Sequence, residues 1–549
     1  MSYYLKNVLL LYTDKYYFVK QVYPYGLDLI ANYLRQYGYD VTIDYPFLPE
    51  PELETNLEQI LSRTEPDLIG LGIRNLDTAM SCEPFGDYEG TDYKTFYFIP
   101  EIKRIVDIIK QLRPQVPVVI GGGGFTISPE AILKRLGVEY GITGEGEEPL
   151  RQFLEAFPNE DKISKVPNLV FWRREDFITN PQEPYVFEKD RGGVEREKKF
   201  NYAYETVGMP VQVKRGCNRN CSYCVEPLIE GRKLVFKDPD AVIGELKFIA
   251  ETYDDVRNIF FVDTEFNIPD LEYCTVLIRK ILDSGLHEHF LFSSQFLPAP
   301  FDREFVKLLA DTGFSVVLTC DSFADSVLEK NKVAYRQKES VETIALCDEF
   351  DLDCTISLIF GLPGETYETI DHTIALMVKY PPGALRRYEY TIGGRVYQGT
   401  PLCCFVEARE TDHQVYGTRS KGFLEPYYFC SPERPLKVKT YVEQQFPFPT
   451  AYQKINDDIV HQRLAMAYLI DQSRWDQAVE KFSESDLDAC SSIYDYFFRK
   501  LADAGEVETA KAVSEHFMEA ILQSGEKDKY GDQIPVIQYY MNLLNPNFS

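Results

Sequence analysis

Histidine is scarce in this chain of 549 residues: there are six, and the first of them is His287. Long apolar runs are absent as well, and no stretch approaches the roughly 18 uncharged residues that a membrane span needs. The opening stretch, MSYYLKNVLLLYTDKYY, has an apolar run too short for a secretory signal and more typical of a first strand. The sequence therefore predicts a cytoplasmic protein whose first half offers no histidine as a metal ligand.

Basic residues are in deficit, with 58 Lys and Arg against 86 Asp and Glu, which gives a formal net charge of −28. Such a surface repels phosphate backbones and anionic lipids, so nucleic acid and membranes are excluded as partners. Hydrophobic residues (44%) and charged residues (26%) are in the proportions of soluble globular proteins. In a cytoplasmic chain, the 12 cysteines indicate metal ligands and reduced thiols and not a disulfide framework.

Residues 1–155 alternate short apolar runs with amphipathic stretches. This alternation predicts a doubly wound parallel sheet of the Rossmann-like α/β class, which binds ligands at the carboxyl ends of its strands. The predicted strands are 7–12, 40–45, 67–73, 116–123 and 138–144, and the predicted helices between them are 25–38, 53–65, 99–113 and 129–137.

The rest of the chain divides into three parts. Residues 156–205 are polar, charged and rich in proline, which predicts a linker. Strand–helix alternation resumes over 206–404 with six units, as in a partial (β/α)6 barrel. Beyond an aromatic segment, 405–549 predicts a mostly helical C-terminal domain.

The segment with the clearest chemistry is KRGCNRNCSYC, in which Cys217, Cys221 and Cys224 have the spacing C-x3-C-x2-C. A short loop of this kind can supply three thiolates to one [4Fe–4S] cluster. Three ligands leave one iron open, and that iron can chelate the amino and carboxylate groups of S-adenosylmethionine. The alternatives are unrelated core cysteines or a zinc site, but zinc normally takes four ligands and no fourth is evident nearby.

These cysteines and several later motifs resemble the radical S-adenosylmethionine superfamily. The resemblance implies that Tyr223 contacts adenine, and that Glu265, in IFFVDTEFN, lies near the methionyl amine. It also implies that Ser294, in FLFSSQF, meets the ribose, and that Ile359 and Gly361, in ISLIFGLPGET, flank adenine. For each isolated polar residue the alternative is ordinary capping of a strand end.

Before the barrel, the motifs YPYGL, DLIGLGIRNLD, VVIGGGGFTISPE and ITGEGEEPL resemble the corrinoid-binding domain of one large subclass of this superfamily. Bare glycine backbone at a strand end would admit the nucleotide tail of a base-off cobalamin, although a tight turn would use the same residues. The cobalamin-binding residues that this resemblance implies are Tyr23, Pro24, Arg74, Asn75, Asp77, Gly121, Gly122, Gly123, Thr126, Gly144, Glu145 and Gly146.

One departure from many corrinoid proteins concerns the ligand of cobalt. Their Asp-x-His-x-x-Gly motif is missing, and no histidine lies in this part of the chain, so cobalamin is expected to bind without a histidine ligand. The loop holding Arg74 is similar to that of the tryptophan C-methyltransferase branch, where an arginine lies under the corrin. Arg74 is thus the candidate catalytic residue, a cation that disfavours an axial ligand. The alternative is a surface arginine paired with Asp77.

The resemblance covers roughly residues 5–435 and implies a C-methyltransferase. Such an enzyme moves a methyl group from S-adenosylmethionine through cobalamin to an unreactive carbon of a small-molecule or peptide-derived substrate. A cobalamin-dependent cyclase or rearrangement enzyme, and a non-catalytic corrinoid-binding protein, are the alternatives. The 38 Tyr and 36 Phe would suit an aromatic substrate, although most of these rings belong to the core. An external electron donor such as flavodoxin or ferredoxin is the expected protein partner.

Overall fold

A computed structural model of the chain describes residues 5–15, 22–48, 51–83, 88–89, 93–183, 193–200, 207–253, 256–408, 414–446, 457–525, 530 and 533–544. The first part of the chain forms a seven-stranded sheet with the strand order β2-β1-β3-β6-β7-β8-β9. The first five strands in this order, β2, β1, β3, β6 and β7, are parallel, as predicted for a doubly wound fold. Its strands are β1 (Asn7–Tyr12), β2 (Asp40–Asp44), β3 (Leu68–Gly72), β6 (Val118–Gly121), β7 (Tyr140–Ile142), β8 (Leu169–Arg173) and β9 (Asp176–Thr179).

Helices cover this sheet because their apolar residues recur every three or four positions. In the longest of them, Ile102, Ile105, Val106 and Ile109 are buried along one face. The helices are α1 (Tyr25–Gln36), α2 (Leu53–Thr64), α3 (Ile99–Leu112), α4 (Gly123–Ile127), α5 (Pro129–Leu136), α6 (Glu147–Ala156) and α7 (Glu160–Ile163). A two-stranded ribbon, β4 (Tyr88–Glu89) with β5 (Lys94–Thr95), lies between β3 and α3 along the chain.

Part of the predicted linker belongs to the sheet instead. Strands β8 and β9 form a hairpin that extends the sheet antiparallel to β7. Its apolar residues are buried on β7, whereas the turn between the strands is charged, and this charge made the segment resemble a linker. Within the remainder of the predicted linker, residues 184–192 and 201–205 lie outside the described residues.

The second sheet has six parallel strands in the order β10-β13-β14-β15-β16-β17, which confirms the partial (β/α)6 barrel. Its strands are β10 (Met209–Val211), β13 (Asn258–Phe261), β14 (Leu291–Phe296), β15 (Phe314–Asp321), β16 (Asp353–Phe360) and β17 (Arg386–Ile392). The helices around it are α8 (Glu226–Ile229), α9 (Pro239–Thr252), α10 (Glu272–Asp283), α11 (Arg303–Asp311), α12 (Asp325–Lys330), α13 (Gln337–Glu349) and α14 (Tyr367–Lys379).

Side chains on the barrel strands alternate between two environments. Along β16 every second residue is buried, and the residues between them are half exposed. The buried side packs on the helices: Phe261, Phe292 and Phe314 stack there, with ring centroids 5.8 and 5.5 Å apart in sequence order. The half-exposed side faces the inside of the barrel, which a substrate can enter.

After the barrel, a small antiparallel sheet joins β18 (Gly394–Arg395), β20 (Tyr427–Phe429) and β19 (Val415–Gly417). The region predicted to be mostly helical therefore begins with two short strands. The helices of this region are α15 (Pro401–Glu407), which begins just before it, α16 (Pro435–Gln445), α17 (Asp457–Asp471), α18 (Trp475–Glu484), α19 (Leu487–Asp503), α20 (Val507–Ser524) and α21 (Gln533–Leu543). Helices α17 to α21 pack mainly against one another. No helix among the described residues is long and apolar enough to span a membrane.

Candidate active site

Four loops of the first sheet follow the carboxyl ends of neighbouring parallel strands. Strand β1 lies between β2 and β3, so the chain changes direction across the sheet at the boundary of β1 and β3. In open α/β sheets the ligand crevice lies at this switch point. The four loops, 13–15, 73–77, 122–126 and 143–147, contain most of the residues predicted to bind cobalamin.

Arg74 follows β3 and reaches across the switch point to Asp14, which follows β1. Its Nη2 donates to Asp14 Oδ2 at 3.1 Å; the side chains are 37% and 4% exposed, respectively. Burial lowers the pKa of Arg74, but the Asp14 carboxylate more than offsets this and the net shift is upward. Asn75, with its amide oriented to satisfy both atoms, accepts from Arg74 Nη1 at 3.0 Å. The partner of Arg74 is thus Asp14, and the alternative pairing with Asp77 is wrong.

Asp77 pairs with an arginine from a distant part of the chain. Arg395 Nε donates to its Oδ2 at 2.7 Å, and both side chains are almost fully buried. The Arg395 guanidinium also donates to the Val396 carbonyl at 2.7 Å and lies 4.8 Å from the Tyr397 ring centroid. The fully buried Asp77 carboxylate joins the first sheet to the segment after the barrel, and its contact with cobalamin stays a prediction.

The glycine run after β6 is explained largely by internal packing. Gly122 has φ of +101°, and a Cβ there would lie 2.4 Å from the carbonyl oxygen of Ile73. A Cβ on Gly124 would lie 2.9 Å from the Asn75 backbone, so these glycines allow two loops to touch. Gly121 and Gly123 have only ordinary contacts and leave more room. A close approach of cobalamin to Gly121, Gly122 and Gly123 stays a prediction. At Gly122 the packing against Ile73 is by itself enough to require glycine.

Thr126 connects the two glycine-bearing loops. Its hydroxyl accepts from the backbone N–H of Gly144 at 2.9 Å and donates to the Gly122 carbonyl at 3.1 Å. Tyr23 precedes α1, next to Pro24, and its hydroxyl donates to Asp28 Oδ2 at 2.5 Å. Burial raises the pKa of Asp28 to about 7. Cobalamin contacts by Thr126, Tyr23 and Pro24 stay predictions.

The three-cysteine loop is held by hydrogen bonds on both sides. It leaves the hairpin of β11 (Lys214–Arg215) with β12 (Val235–Phe236), and Cys217 N–H donates to the Gly231 carbonyl at 3.0 Å. On the other side, the Ser222 hydroxyl donates to Asn331 Oδ1 at 2.6 Å. Cys217 is buried, whereas Cys221 and Cys224 are half buried.

Burial raises the pKa of all three thiols, to about 12 for Cys221. Among the described residues, no three His, Cys, Asp or Glu side chains are grouped closely enough to hold a metal ion. The assignment of the three cysteines as cluster ligands therefore depends on their spacing and on their loop, and it stays a prediction.

An ion-pair cluster joins the cysteine loop to the first sheet. Arg215 is buried and contacts the carboxylates of Glu145 and Glu147, the second at 3.1 Å. Burial raises the pKa of Glu145 to about 7 despite this arginine. Next to the same loop, an Ile229 methyl carbon would lie 3.4 Å from a Cβ at Gly123. Glu145 therefore faces the cysteine loop, and contact of Glu145 or Gly146 with cobalamin stays a prediction.

Glu265 lies at the mouth of the barrel, after β13. Thr319 donates to its Oε1 at 2.9 Å, while its buried Oε2 has no hydrogen-bond partner among the described residues. Burial raises the pKa of Glu265 to about 8. An unsatisfied buried carboxyl oxygen fits the ammonium group of a bound amino-acid moiety.

Tyr223 is positioned by a hydrogen bond to Asp321, which also accepts from Tyr335 at 2.7 Å. Its ring packs against a buried apolar cluster that includes Leu362, and Ile359 packs against the same cluster. This flat apolar surface beside the cysteine loop is suited to an adenine ring. Tyr223 and Ile359 thus share one apolar cluster, and their contact with adenine stays a prediction.

Ser294 and Gly361 have other roles in the fold. Ser294 is fully buried on the helix side of β14 and donates to the Phe261 carbonyl at 2.9 Å, the role of the alternative interpretation, and its contact with ribose stays a prediction. Gly361 has φ of +93°, and a Cβ there would lie 2.7 Å from Cys430 Sγ. That glycine is required by packing, and ligand contact through its backbone stays a prediction.

Sequence reasoning missed Asp14, Gln295, Thr319 and Asp321. Gln295 is exposed on the inner side of β14, one position after Ser294, and strict alternation from Phe292 and Phe296 would have found it. Thr319 and Asp321 end a strand that was recognised, so the carboxyl-end rule would have found them. Asp14 had the same signal at the end of β1.

Comparisons with known proteins define the class. Residues 211–377 match the Radical SAM superfamily, and residues 97–154 match the B12 binding domain. The chain therefore contains a Radical SAM domain and a B12 binding domain, and the cofactors of these domains, a [4Fe–4S] cluster, S-adenosylmethionine and cobalamin, are the predicted ones.

Several proteins similar to this chain are methyltransferases. The tryptophan 2-C-methyltransferase of Streptomyces laurentii is 24% identical over 422 residues, which cover 65% of this chain and 68% of the relative. A radical S-adenosylmethionine methyltransferase of Kitasatospora setae, solved with cobalamin and [4Fe–4S] cluster bound, has TM-score 0.70 at 21% identity, covering 87% and 99% of the two chains. The same enzyme with tryptophan substrate and an analogue of S-adenosylmethionine, aza-SAM, bound has TM-score 0.67 at 22% identity, covering 80% and 88% of the two chains. These structural similarities confirm the predicted fold class.

Proposed function

We propose that this enzyme transfers a methyl group from S-adenosylmethionine, through cobalamin, to a carbon atom of a small aromatic substrate. The observation that carries the proposal is the junction of Arg215 with Glu145 and Glu147, because it places the cysteine loop against the crevice loops of the first sheet. Two cofactors held on either side of this junction would share one substrate space. The aromatic substrate is proposed because the structural relative from Kitasatospora setae binds tryptophan.

The residues proposed to hold the cofactors lie on both sides of the junction. Cys217, Cys221 and Cys224 would bind the cluster; when bound, the cofactors supply the methyl group and the electron chemistry. Tyr223 and Ile359 would pack on adenine. Arg74, Asn75, Gly121, Gly123 and the 144–146 loop would line the corrinoid crevice.

Glu265 is proposed to bind the methionyl ammonium group. Its Oε1 is already held by Thr319, and its Oε2 is left to accept from a ligand. An ammonium group would favour the ionised carboxylate, so ligand binding is expected to lower the pKa of Glu265 from about 8.

The half-exposed inner side of the barrel is proposed to hold the substrate. Gln295 of β14, Ser357 of β16 and Thr391 of β17 lie on this side of the barrel strands. These groups offer hydrogen bonds that orient a small molecule, while the barrel wall excludes water from the reacting carbon.

An external one-electron donor such as flavodoxin or ferredoxin is part of the proposal. The exposed tip of the cysteine loop, Asn218 and Asn220, lies between two turns that carry Arg232 and Lys233 on one side and Lys330 and Lys332 on the other. We call these four cations the basic rim. None of them forms an ion pair with a described residue, in a chain of net charge −28, so this surface would attract an acidic donor.

Two measurements test the proposal. The first is mass spectrometry of small-molecule pools with methyl-labelled S-adenosylmethionine; one added labelled methyl on carbon is the expected result. A product of unchanged mass, such as a cyclised one, contradicts it.

The second measurement is the iron content after anaerobic reconstitution. It should reach about four irons per chain and be lost in Cys217→Ala, Cys221→Ala and Cys224→Ala. Cys320→Ala and Cys347→Ala, which alter buried thiols elsewhere in the barrel, are the matched controls. Loss of iron in these controls would contradict the ligand assignment.

A further inference from the structure

The acids of the four crevice loops all have arginine partners. Asp77 pairs with Arg395, and Glu145 and Glu147 share Arg215, so these three acids join the first sheet to other parts of the chain. Asp14 is different, because its partner Arg74 comes from the crevice loops themselves. The Asp14–Arg74 pair is therefore available to a ligand at the switch point.

Asp14 holds Arg74 from below the crevice surface. The carboxylate is 4% exposed, whereas the arginine side chain is 37% exposed. The acid is therefore buried in the fold, and the arginine is the member of the pair that a ligand in the crevice would contact. The chain around Asp14 is itself fixed, because Tyr45 donates to the Asp14 carbonyl at 3.0 Å and Thr13 donates to the Gly72 carbonyl at 2.8 Å.

The pairing also determines which charge the crevice presents. A lone arginine would present a full positive charge, but an arginine in contact with a buried carboxylate forms a nearly neutral unit. The same contact engages the carboxylate, an oxygen donor that would otherwise be available to a metal. Asp14 thus reduces the positive charge that Arg74 presents to a bound cofactor, and Arg74 keeps the Asp14 carboxylate from binding a metal.

We propose that Asp14 is a positioning residue for Arg74: it fixes the guanidinium at the β1–β3 switch point, and Arg74 in turn prevents Asp14 from ligating cobalt. This inference rests on the proposed cobalamin site. Cobalt is kept free of a protein ligand here by a closed ion pair, and not by an isolated positive charge.

The test uses the full-length protein loaded with cob(II)alamin and read by electron paramagnetic resonance. Asp14→Asn keeps the shape and removes the charge; cobalamin should be retained about tenfold more weakly, the order expected for one partner of a charged hydrogen bond. Its spectrum should differ from that of the parent protein, because Arg74 loses its fixed position. Arg74→Gln frees the carboxylate, so its cobalt hyperfine pattern should show an axial oxygen ligand without nitrogen splitting.

The double variant Asp14→Asn/Arg74→Gln should resemble the parent spectrum more closely than Arg74→Gln does, because no carboxylate remains. Asp353→Asn is the matched control: this partly buried acid begins barrel strand β16 and pairs with Arg387 at 2.7 Å, on a different sheet from the switch point. Its spectrum should equal that of the parent.

Parent-like spectra in both single variants would overturn the proposal, as would an equal change in Asp353→Asn. If Asp14→Asn does not fold, Arg74→Gln alone decides: an axial oxygen ligand supports the pair and an unchanged spectrum refutes it. Failure of the parent protein to bind cobalamin would instead overturn the proposed function itself.

Discussion

Arg74 and Asp77 lie three residues apart in one loop, and each forms an arginine–aspartate pair. The environments of the two pairs, Arg74–Asp14 and Arg395–Asp77, differ. Arg395 and Asp77 are almost fully buried, and the Arg395 guanidinium also donates to backbone carbonyls. Arg74 is partly exposed, and its Nε has no hydrogen-bond partner among the described residues. The Arg395–Asp77 pair is a structural joint between two parts of the chain. The Arg74–Asp14 pair instead holds an arginine at the proposed ligand crevice.

The largest effect is expected from breaking the buried joint. Asp77→Asn leaves Arg395 charged and without a carboxylate, which typically destabilises by about 3–5 kcal/mol. The midpoint of chemical unfolding should fall accordingly. Asp107→Asn, in an exposed pair with Lys103, is the control and should cost about 0–1 kcal/mol. Equal unfolding midpoints for the two variants would show that the Asp77–Arg395 pair contributes no more to stability than an exposed pair does.

A third acid, Asp28, sharpens the comparison because its hydrogen-bond partner is the phenol of Tyr23 instead of an arginine. Burial raises the pKa of Asp28 to about 7, so in the folded protein it keeps its proton up to that pH. The unfolded chain ionises the same group near about pH 4. The free energy of unfolding should therefore fall as pH rises from about 4 to about 7, by at most about 1.4 kcal/mol per pH unit from this group.

Asp28→Asn should remove that contribution, so its unfolding midpoint should depend less on pH than that of the parent. The measurement is chemical unfolding at several pH values across this window, again with Asp107→Asn as control. Parallel pH profiles for the parent and Asp28→Asn would mean that Asp28 is ionised in the folded protein.

These pairs also mark the limit of what the sequence reveals. Strands such as β1 were predictable because a parallel strand buried on both faces is a continuous apolar run. The cysteine loop was predictable because its ligands are close in sequence. Asp77 and Arg395 are 318 positions apart, and no local pattern records which acid meets which arginine. The face of β14 was ambiguous because two adjacent serines, Ser293 and Ser294, interrupt its alternation.

A smaller effect is expected at the Arg74–Asp14 pair, in which only the arginine is partly exposed. Arg74→Lys keeps the charge but loses the planar fork that contacts both Asp14 and Asn75. Methyl transfer should slow while folding stability changes by only about 0–1 kcal/mol. Arg74→His should slow methyl transfer further and add nitrogen splitting to the cob(II)alamin spectrum. Arg104→Lys, in the exposed pair with Glu54, is the control. Unchanged rates in both Arg74 variants would leave this arginine a bystander.

The smallest effect on the protein itself is expected at the basic rim, whose cations have no acidic partner within the described part of the chain. Lys233→Glu with Lys332→Glu should leave folding intact, because neither lysine has an ion pair among the described residues to lose. One electron passes from the reduced donor to the oxidised cluster, and the rim is expected to accelerate only the encounter. With reduced flavodoxin in excess, the second-order rate of cluster reduction should fall about tenfold at low salt. The difference should shrink at about 1 M salt, where charges are screened within about 3 Å. Lys247→Glu with Lys307→Glu makes the same change in net charge on helices α9 and α11 of the barrel. If that control slows reduction equally, net charge alone governs the encounter and the rim is not a docking surface.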